Sequence, residues 1–287
     1  MNEERTGEQV GVPSCYRHPE RESYIRCQRC DRYVCPDCQR EASVGVHCLE
    51  CVREGNKQMP AARTRFGGVL RPGDALVTKI LIGLNLAVFV PTLLLGSSFW
   101  GETAMIGAYV YHGEYWRLFT SMFVQAGLMH LAVNLISLWV LGPMLESALG
   151  RLRFVALYLI GGLGGSAVAY AFTELNVPVI GASGAIAALF GAILVLSRQL
   201  RLDPSMLFGI LAINVVINVF ARDHLSWQGH LGGLIAGALL GVVLGYAPRD
   251  RRTLVHGIGF AAVAALSIGL VAWRTGMVSA ALGAVGS

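Results

Sequence analysis

Charge is scarce in this chain: 14% of its residues are Asp, Glu, Lys or Arg, against 54% hydrophobic, and the mean hydropathy is +0.55. That ratio argues against a soluble globular protein. Cysteine is absent after Cys51, and long apolar runs are absent before about Asp74, so two physically different modules follow one another. The first forty residues are polar and lack the short apolar core of an export signal, which leaves the N-terminus expected in the cytoplasm. There is no convincing internal repeat of the kind a small-molecule transporter carries.

Apolar runs long enough to span a bilayer predict seven helices at 76–95, 128–147, 153–173, 183–200, 206–220, 228–246 and 254–273, the fifth being short. With a cytoplasmic N-terminus, Arg151, Arg153, Arg198, Arg201, Arg249, Arg251 and Arg252 fall inside, and only Arg117, Arg222 and Arg274 outside. The linker basics Arg53, Lys57, Arg63, Arg65 and Arg71 agree with this orientation, as a positive-inside anchor or as contacts to anionic headgroups. The sequence pI of about 8.9 reflects the same bias and is not taken as nucleic-acid affinity.

In this topology the second, fourth and sixth spans run inward from the outer face, so their first turns share one leaflet. His130 and Asn134, spaced i, i+4, lie on one face of the second; Ser183 opens the fourth; His230 opens the sixth. Polar groups in hydrocarbon must be paired, buried in protein or facing water. Each alone reads as interhelical glue, and Ser183 alone as a helix cap. Together they suit nucleophilic catalysis, with Ser183 attacking a peptide carbonyl and His230 as the base. Gly181 and Gly184 leave space around the hydroxyl. Free N–H groups of the helix start, with Asn134 and His130, are candidates for holding an oxyanion. Asp and Glu are absent from the fourth and sixth spans, so a triad has no evident third member and a dyad is expected. Gly233, Gly237, Gly241 and Gly245, spaced by four, predict close approach to the small residues Ala185, Ala187, Ala188, Gly191 and Ala192.

Glu114-Tyr115-Trp116-Arg117, His130-x3-Asn134, Gly181-Ala182-Ser183-Gly184 and His230-Leu231-Gly232-Gly233 occur in the order seen in rhomboid intramembrane serine proteases, which the chain resembles over roughly 76–246. The resemblance implies an all-α polytopic bundle of six core helices and one extra C-terminal span. It also implies Ser183 as nucleophile, His230 as general base, His130 and Asn134 on the oxyanion side, and 97–127, with Trp116 and Arg117, as a partly embedded loop. Without it, Arg117 reads as an interfacial anchor and Trp116 as part of an aromatic belt. The chain departs from many rhomboids in having Ala187 where an aromatic would stack on the histidine; Trp227 is a possible substitute.

Cys15-x2-His18, Cys27-x2-Cys30, Cys35-x2-Cys38 and Cys48-x2-Cys51 form four paired-ligand knuckles with the spacing of tetrahedral zinc. Seven cysteines, an odd number, in a reducing compartment argue against disulfides. Eight ligands imply two structural Zn2+ ions, with none assigned to catalysis. The spacing resembles a B-box-type zinc finger. That resemblance implies interleaved sets, Cys15, His18, Cys35 and Cys38 on one ion and Cys27, Cys30, Cys48 and Cys51 on the other; consecutive pairing, or His47 in place of Cys48, stays open. Arg17, Arg21, Arg26, Arg29 and Arg32 are interspersed with Glu20, Glu22 and Asp31, which reads as a mixed-charge surface.

The expected organisation is a cytoplasmic double-zinc module at 1–55, a basic linker at 56–75, a membrane domain at 76–275 and a tail at 276–287. The expected activity is intramembrane endoproteolysis of single-pass transmembrane proteins in the bilayer of the plasma membrane, with the zinc module docking a protein partner and no nucleic acid involved. The alternative is a proteolytically inactive rhomboid-like scaffold that binds membrane clients.

Overall fold

A computed structural model describes residues 12–59, 62–69, 75–203, 205, 209 and 226–285. The chain divides into two compact units, Met1–Ala61 and Ala62–Ser287.

In the first unit, antiparallel β1 (Gln39–Glu41) and β2 (Val46–Cys48) precede α1 (Leu49–Gln58). A unit this small has little apolar material to bury. Its core is the cysteines themselves, with Val34 and the flanking Tyr16, Val46 and Leu49. Cys48 is the N-cap of α1, its sulfur accepting the Cys51 N–H at 3.3 Å.

The second unit holds six helices that are long and apolar enough to cross a membrane: α2 (Leu76–Leu95), α6 (Leu128–Leu149), α7 (Arg151–Phe172), α8 (Ser183–Leu200), α9 (Trp227–Tyr246) and α10 (Arg252–Val285). They correspond to six of the seven expected spans; the fifth, 206–220, apart from Gly209, and Arg71 and Arg222 lie outside the described residues. Helix α10 continues through most of the expected tail. Residues 274–285 contain no proline and are rich in Ala, Val and Leu, so nothing stops the helix at 273. Between α2 and α6 lie short helices α3 (Ser97–Thr103), α4 (Gly107–Tyr111) and α5 (Arg117–Thr120) and strand β3 (Met105–Ile106). Strand β3 pairs antiparallel with β4 (Pro178–Val179), tying this segment to the connection before Ser183.

The bundle centres on α7, of which 61% is buried, against 28% of α2 and 17% of α10. Leu138, Leu141, Leu145, Phe154, Leu157, Leu189 and Ile193 fill the middle. Around them, helix backbones meet directly because glycine faces glycine or alanine. A Cβ on Gly233 would stand 2.0 Å from the Gly184 carbonyl oxygen, one on Gly237 1.9 Å from that of Ala188, and one on Gly241 3.0 Å from the Ala192 Cα. The glycine ladder read from the sequence therefore packs on α8. The sequence reading did not pick out a second set, Gly161, Gly162, Gly164 and Gly165 on α7, whose positions abut Ala188, Ala185, Ala236 and the Gly229 carbonyl.

Candidate active site and metal centres

The first turns of α6, α8 and α9 meet at one end of the bundle. Gly165 of α7 sits between Gly184 and Gly229, with 3.5 Å to the Gly184 Cα and 2.7 Å to the Gly229 oxygen from a Cβ placed there. Ser183 and His230 each follow one of these glycines by a single residue or precede it by one, so the junction sets both at the same level. Among the described residues no hydrogen bond joins their side chains.

Ser183 is the first residue of α8. The cap position is Ala182, which has no side-chain capping bond, so Ser183 does not serve as the cap considered from the sequence. Its hydroxyl is left to other work and the amides of the helix start face outward from it. Gly181 has φ +126°, outside the range side chains adopt readily, and its amide donates to the Ser121 carbonyl at 2.9 Å. A Cβ at Gly181 would lie 2.6 Å from His130 Cε1, 2.9 Å from His130 Nε2 and 3.3 Å from Ser183 Oγ. Only glycine lets the His130 ring and the serine share this space.

His130 Nδ1 accepts the Ala126 N–H at 3.1 Å. The neutral ring then carries its hydrogen on Nε2 and is a donor there. Asn134 is buried and its Nδ2 donates to Gln125 Oε1 at 2.7 Å. Gln125 Nε2 donates to Asn85 Oδ1 at 2.8 Å, and Asn85 Nδ2 to the Leu81 carbonyl at 2.8 Å. The chain runs in one direction from a backbone acceptor, so every amide orientation is fixed, and Asn134 keeps its second N–H for another acceptor. Asn85 and Gln125 went unnoticed in the sequence reading. Asn85 within an apolar span was the available signal, since buried amides in such helices are costly unless paired.

Arg117 differs from the anchor expected on composition alone: it is 3% exposed. Its Nε donates to Glu114 at 2.6 Å, its Nη1 to the carbonyls of Gly101 at 2.7 Å and Ala104 at 3.0 Å, and its guanidinium lies over the Tyr109 ring. A planar five-donor group can hold a carboxylate and two backbone carbonyls at once, and Arg117 organises the loop from inside. Trp116 points outward and is exposed. Trp227 is also exposed and makes no ring contact with His230 among the described residues, so it does not fill the role left open by Ala187.

Residues 112–247 match the Rhomboid domain. The chain is similar to the putative rhomboid protease YdcA of Bacillus subtilis, 37% identical over 136 residues, covering 46% of this chain and 68% of that protein. It is 31% identical over 195 residues to the rhomboid protease GluP of the same organism, covering 64% of this chain and 38% of GluP. With RHOMBOID-like protein 1 of Arabidopsis thaliana it shares 35% identity over 148 residues, 49% of this chain and 37% of that one. The chain belongs to the rhomboid family. As a rhomboid-like helix bundle with a small cysteine-rich module in front, it is an integral multi-pass membrane protein. It spans well under half the length of GluP and of RHOMBOID-like protein 1.

The N-terminal unit gathers Cys15, His18, Cys35 and Cys38 in one group and Cys27, Cys30, Cys48 and Cys51 in another, with ligand atoms within 4.8 Å of one another in each. These are the interleaved sets; consecutive pairing is not what the fold makes, and Cys48, not His47, completes the second. His18 Nδ1 lies 3.3, 3.4 and 3.8 Å from the sulfurs of Cys35, Cys38 and Cys15. A tetrahedral ion with bonds of about 2.1–2.3 Å would separate its ligands by about 3.4–3.8 Å, so the donor set fits a closed metal site. Burial opposes ionisation of the Cys15 and Cys27 thiols, but neighbouring backbone amides outweigh it and hold both at about 6, favouring the thiolate. Arg32 Nε adds a bond to Cys30 Sγ at 3.3 Å. Arg21 pairs with Asp37, Arg26 with Asp31 and Arg32 with Glu50, so these three arginines are engaged within the unit.

Proposed function

We propose that this rhomboid-family chain is an intramembrane serine endopeptidase acting on single-pass transmembrane proteins. The observation that carries the reading is the uncapped Ser183 at the mouth of α8, set level with His230 by the Gly184, Gly229 and Gly165 contacts and flanked by the His130 ring across Gly181. Ser183 Oγ attacks the scissile carbonyl while His230 takes its proton and later gives it to the leaving amine. Oxyanion charge falls to the amides of the α8 start, the His130 Nε2–H and the spare Asn134 N–H. Water reaching this end of the bundle then resolves the acyl enzyme. Substrates need a locally unwound segment, because an intact helix keeps its carbonyls bonded. Gly or Pro near the cut provides that.

The metal groups are assigned to two zinc ions, since thiolates with one imidazole in closed fourfold sets suit zinc. They are structural, and the module docks a protein partner from the cytoplasmic side of the plasma membrane.

Cleavage of a reporter transmembrane segment containing Gly or Pro, by wild type, Ser183→Ala and His230→Ala in proteoliposomes, tests the activity. Loss in both folded variants supports the dyad. Cleavage by none of the three across several reporters favours a client-binding scaffold, a reading to which the missing stacking partner of His230 would then belong.

A further inference from the structure

At the end of the bundle opposite Ser183, positive charge is concentrated and built in. Residues 63–69 fold into a turn: the Thr64 amide donates to the Gly68 carbonyl at 2.7 Å, that of Gly67 to the Thr64 carbonyl at 2.9 Å, and that of Gly68 to Thr64 Oγ1 at 3.0 Å. The turn lies on the α6–α7 junction. A Cβ on Gly68 would stand 2.1 Å from the Leu149 oxygen, and one on Gly150 2.9 Å from the Gly68 Cα.

Three guanidinium groups surround Gly67, which has φ +82°. A Cβ there would lie 2.8 Å from Arg252 Cδ, 3.5 Å from Arg252 Nη1 and 3.5 Å from Arg153 Nη2, while Arg63 Nη1 donates to the Gly67 carbonyl at 3.1 Å. Arg153 Nε donates to Nδ1 of the buried His256 at 2.9 Å, which fixes the plane of its guanidinium. Arg151 is turned toward Glu146 at 3.7 Å, and Arg251 toward Asp250 at 3.6 Å. Among the described residues no carboxylate pairs with Arg63, Arg153 or Arg252. The N-termini of α7 and α10 bring their positive dipole ends to the same place.

Like charges brought together in this way favour a bound anion, and planar forked donors suit a phosphate. Helix α10 is the span least covered by protein, and Leu254 and Ile258 expose an apolar surface just past Arg252. A phosphate at the cluster therefore has hydrocarbon-facing surface beside it, as a lipid requires.

We propose that Arg63, Arg153 and Arg252 form a binding site for the phosphate of an anionic phospholipid headgroup, whose acyl chains lie along the start of α10. The site is independent of any proteolytic activity. The test uses the full chain in nanodiscs of phosphatidylcholine, with and without phosphatidylglycerol, reading the thermal midpoint and the phosphatidylglycerol retained on purification. Wild type is expected to retain phosphatidylglycerol and to be stabilised by it. Arg153→Gln/Arg252→Gln should weaken retention about tenfold, whereas Arg249→Gln/Arg251→Gln, with the same change in net charge, should not. If the Arg153 substitution prevents folding in phosphatidylcholine, Arg63→Gln/Arg252→Gln carries the comparison. Equal retention by wild type and cluster variant overturns the site, and equal loss in both double variants reduces it to general surface charge. A third arm adds inorganic phosphate to the phosphatidylcholine nanodiscs; protection as large as that by phosphatidylglycerol would overturn the lipid as the source and leave a free-phosphate site.

Discussion

The two units of this chain solve the same problem by opposite means. The N-terminal unit has almost no apolar core, and eight ligand side chains occupy its centre. The membrane unit has apolar residues everywhere, yet hydrophobicity cannot hold helices together in lipid, so specificity comes from glycines that bring backbones into contact and from a few buried polar bonds. One unit is centred on side chains that could hold metal ions, the other on the absence of side chains. Each is accordingly vulnerable to a perturbation that leaves the other intact.

Metal removal should give the largest effect. If zinc fills the two groups as proposed, chelation is expected to unfold the N-terminal unit, because structural zinc contributes about 10 kcal/mol or more per site, while the helical content of the membrane unit persists. Hydrogen exchange resolved along the chain would show this, and coordinate loss of protection in α7 to α9 would break the comparison. In the other direction, Gly237→Leu drives a side chain into the Ala188 carbonyl. It should cost about 3 kcal/mol and scatter the first turns of α8 and α9 without changing metal content.

Smaller effects sharpen the account of the polar bonds. Gln125→Leu leaves Asn134 and Asn85 without their partner, at about 1–3 kcal/mol. If the site is proteolytic, turnover should fall about 10–100-fold with KM little changed, because Asn134 is no longer aimed. Glu146→Ala removes the carboxylate that accepts the Val77 and Thr78 amides at 3.0 and 2.9 Å, and should lower the thermal midpoint by the equivalent of about 1–2 kcal/mol with kinetics unchanged. Trp227→Ala, on an exposed ring, should change stability by no more than about 0.5 kcal/mol; a large loss of cleavage would restore it as a partner for His230.

Much of this was legible in the residues because lipid and metal both impose strict local rules. A span needs a fixed length of apolar residues, so six helices could be marked with only their ends uncertain. A closed metal site needs paired soft ligands at short spacing, so all eight positions stood out. Arg117 was harder: a single arginine in a loop has the same sequence signature whether it anchors at an interface or gathers carbonyls inside. Gln125 was invisible for a related reason, as its importance lies in Asn85, forty positions earlier in the chain, and Asn134.

By itself, then, the sequence determined the class of each unit, six of the spans, the Cys and His residues that gather into groups and the polar residues that merit attention. Tertiary structure alone decided which Cys/His pairs come together in one group, that Ala182 and not Ser183 holds the cap position of α8, the direction of the amide chain behind Asn134, and the meeting of Arg63, Arg153 and Arg252 at Gly67. The physical reason is range. Length, hydropathy and ligand spacing act within a few residues of the chain, whereas pairing, hydrogen-bond direction and charge crowding depend on distances between segments that only folding sets.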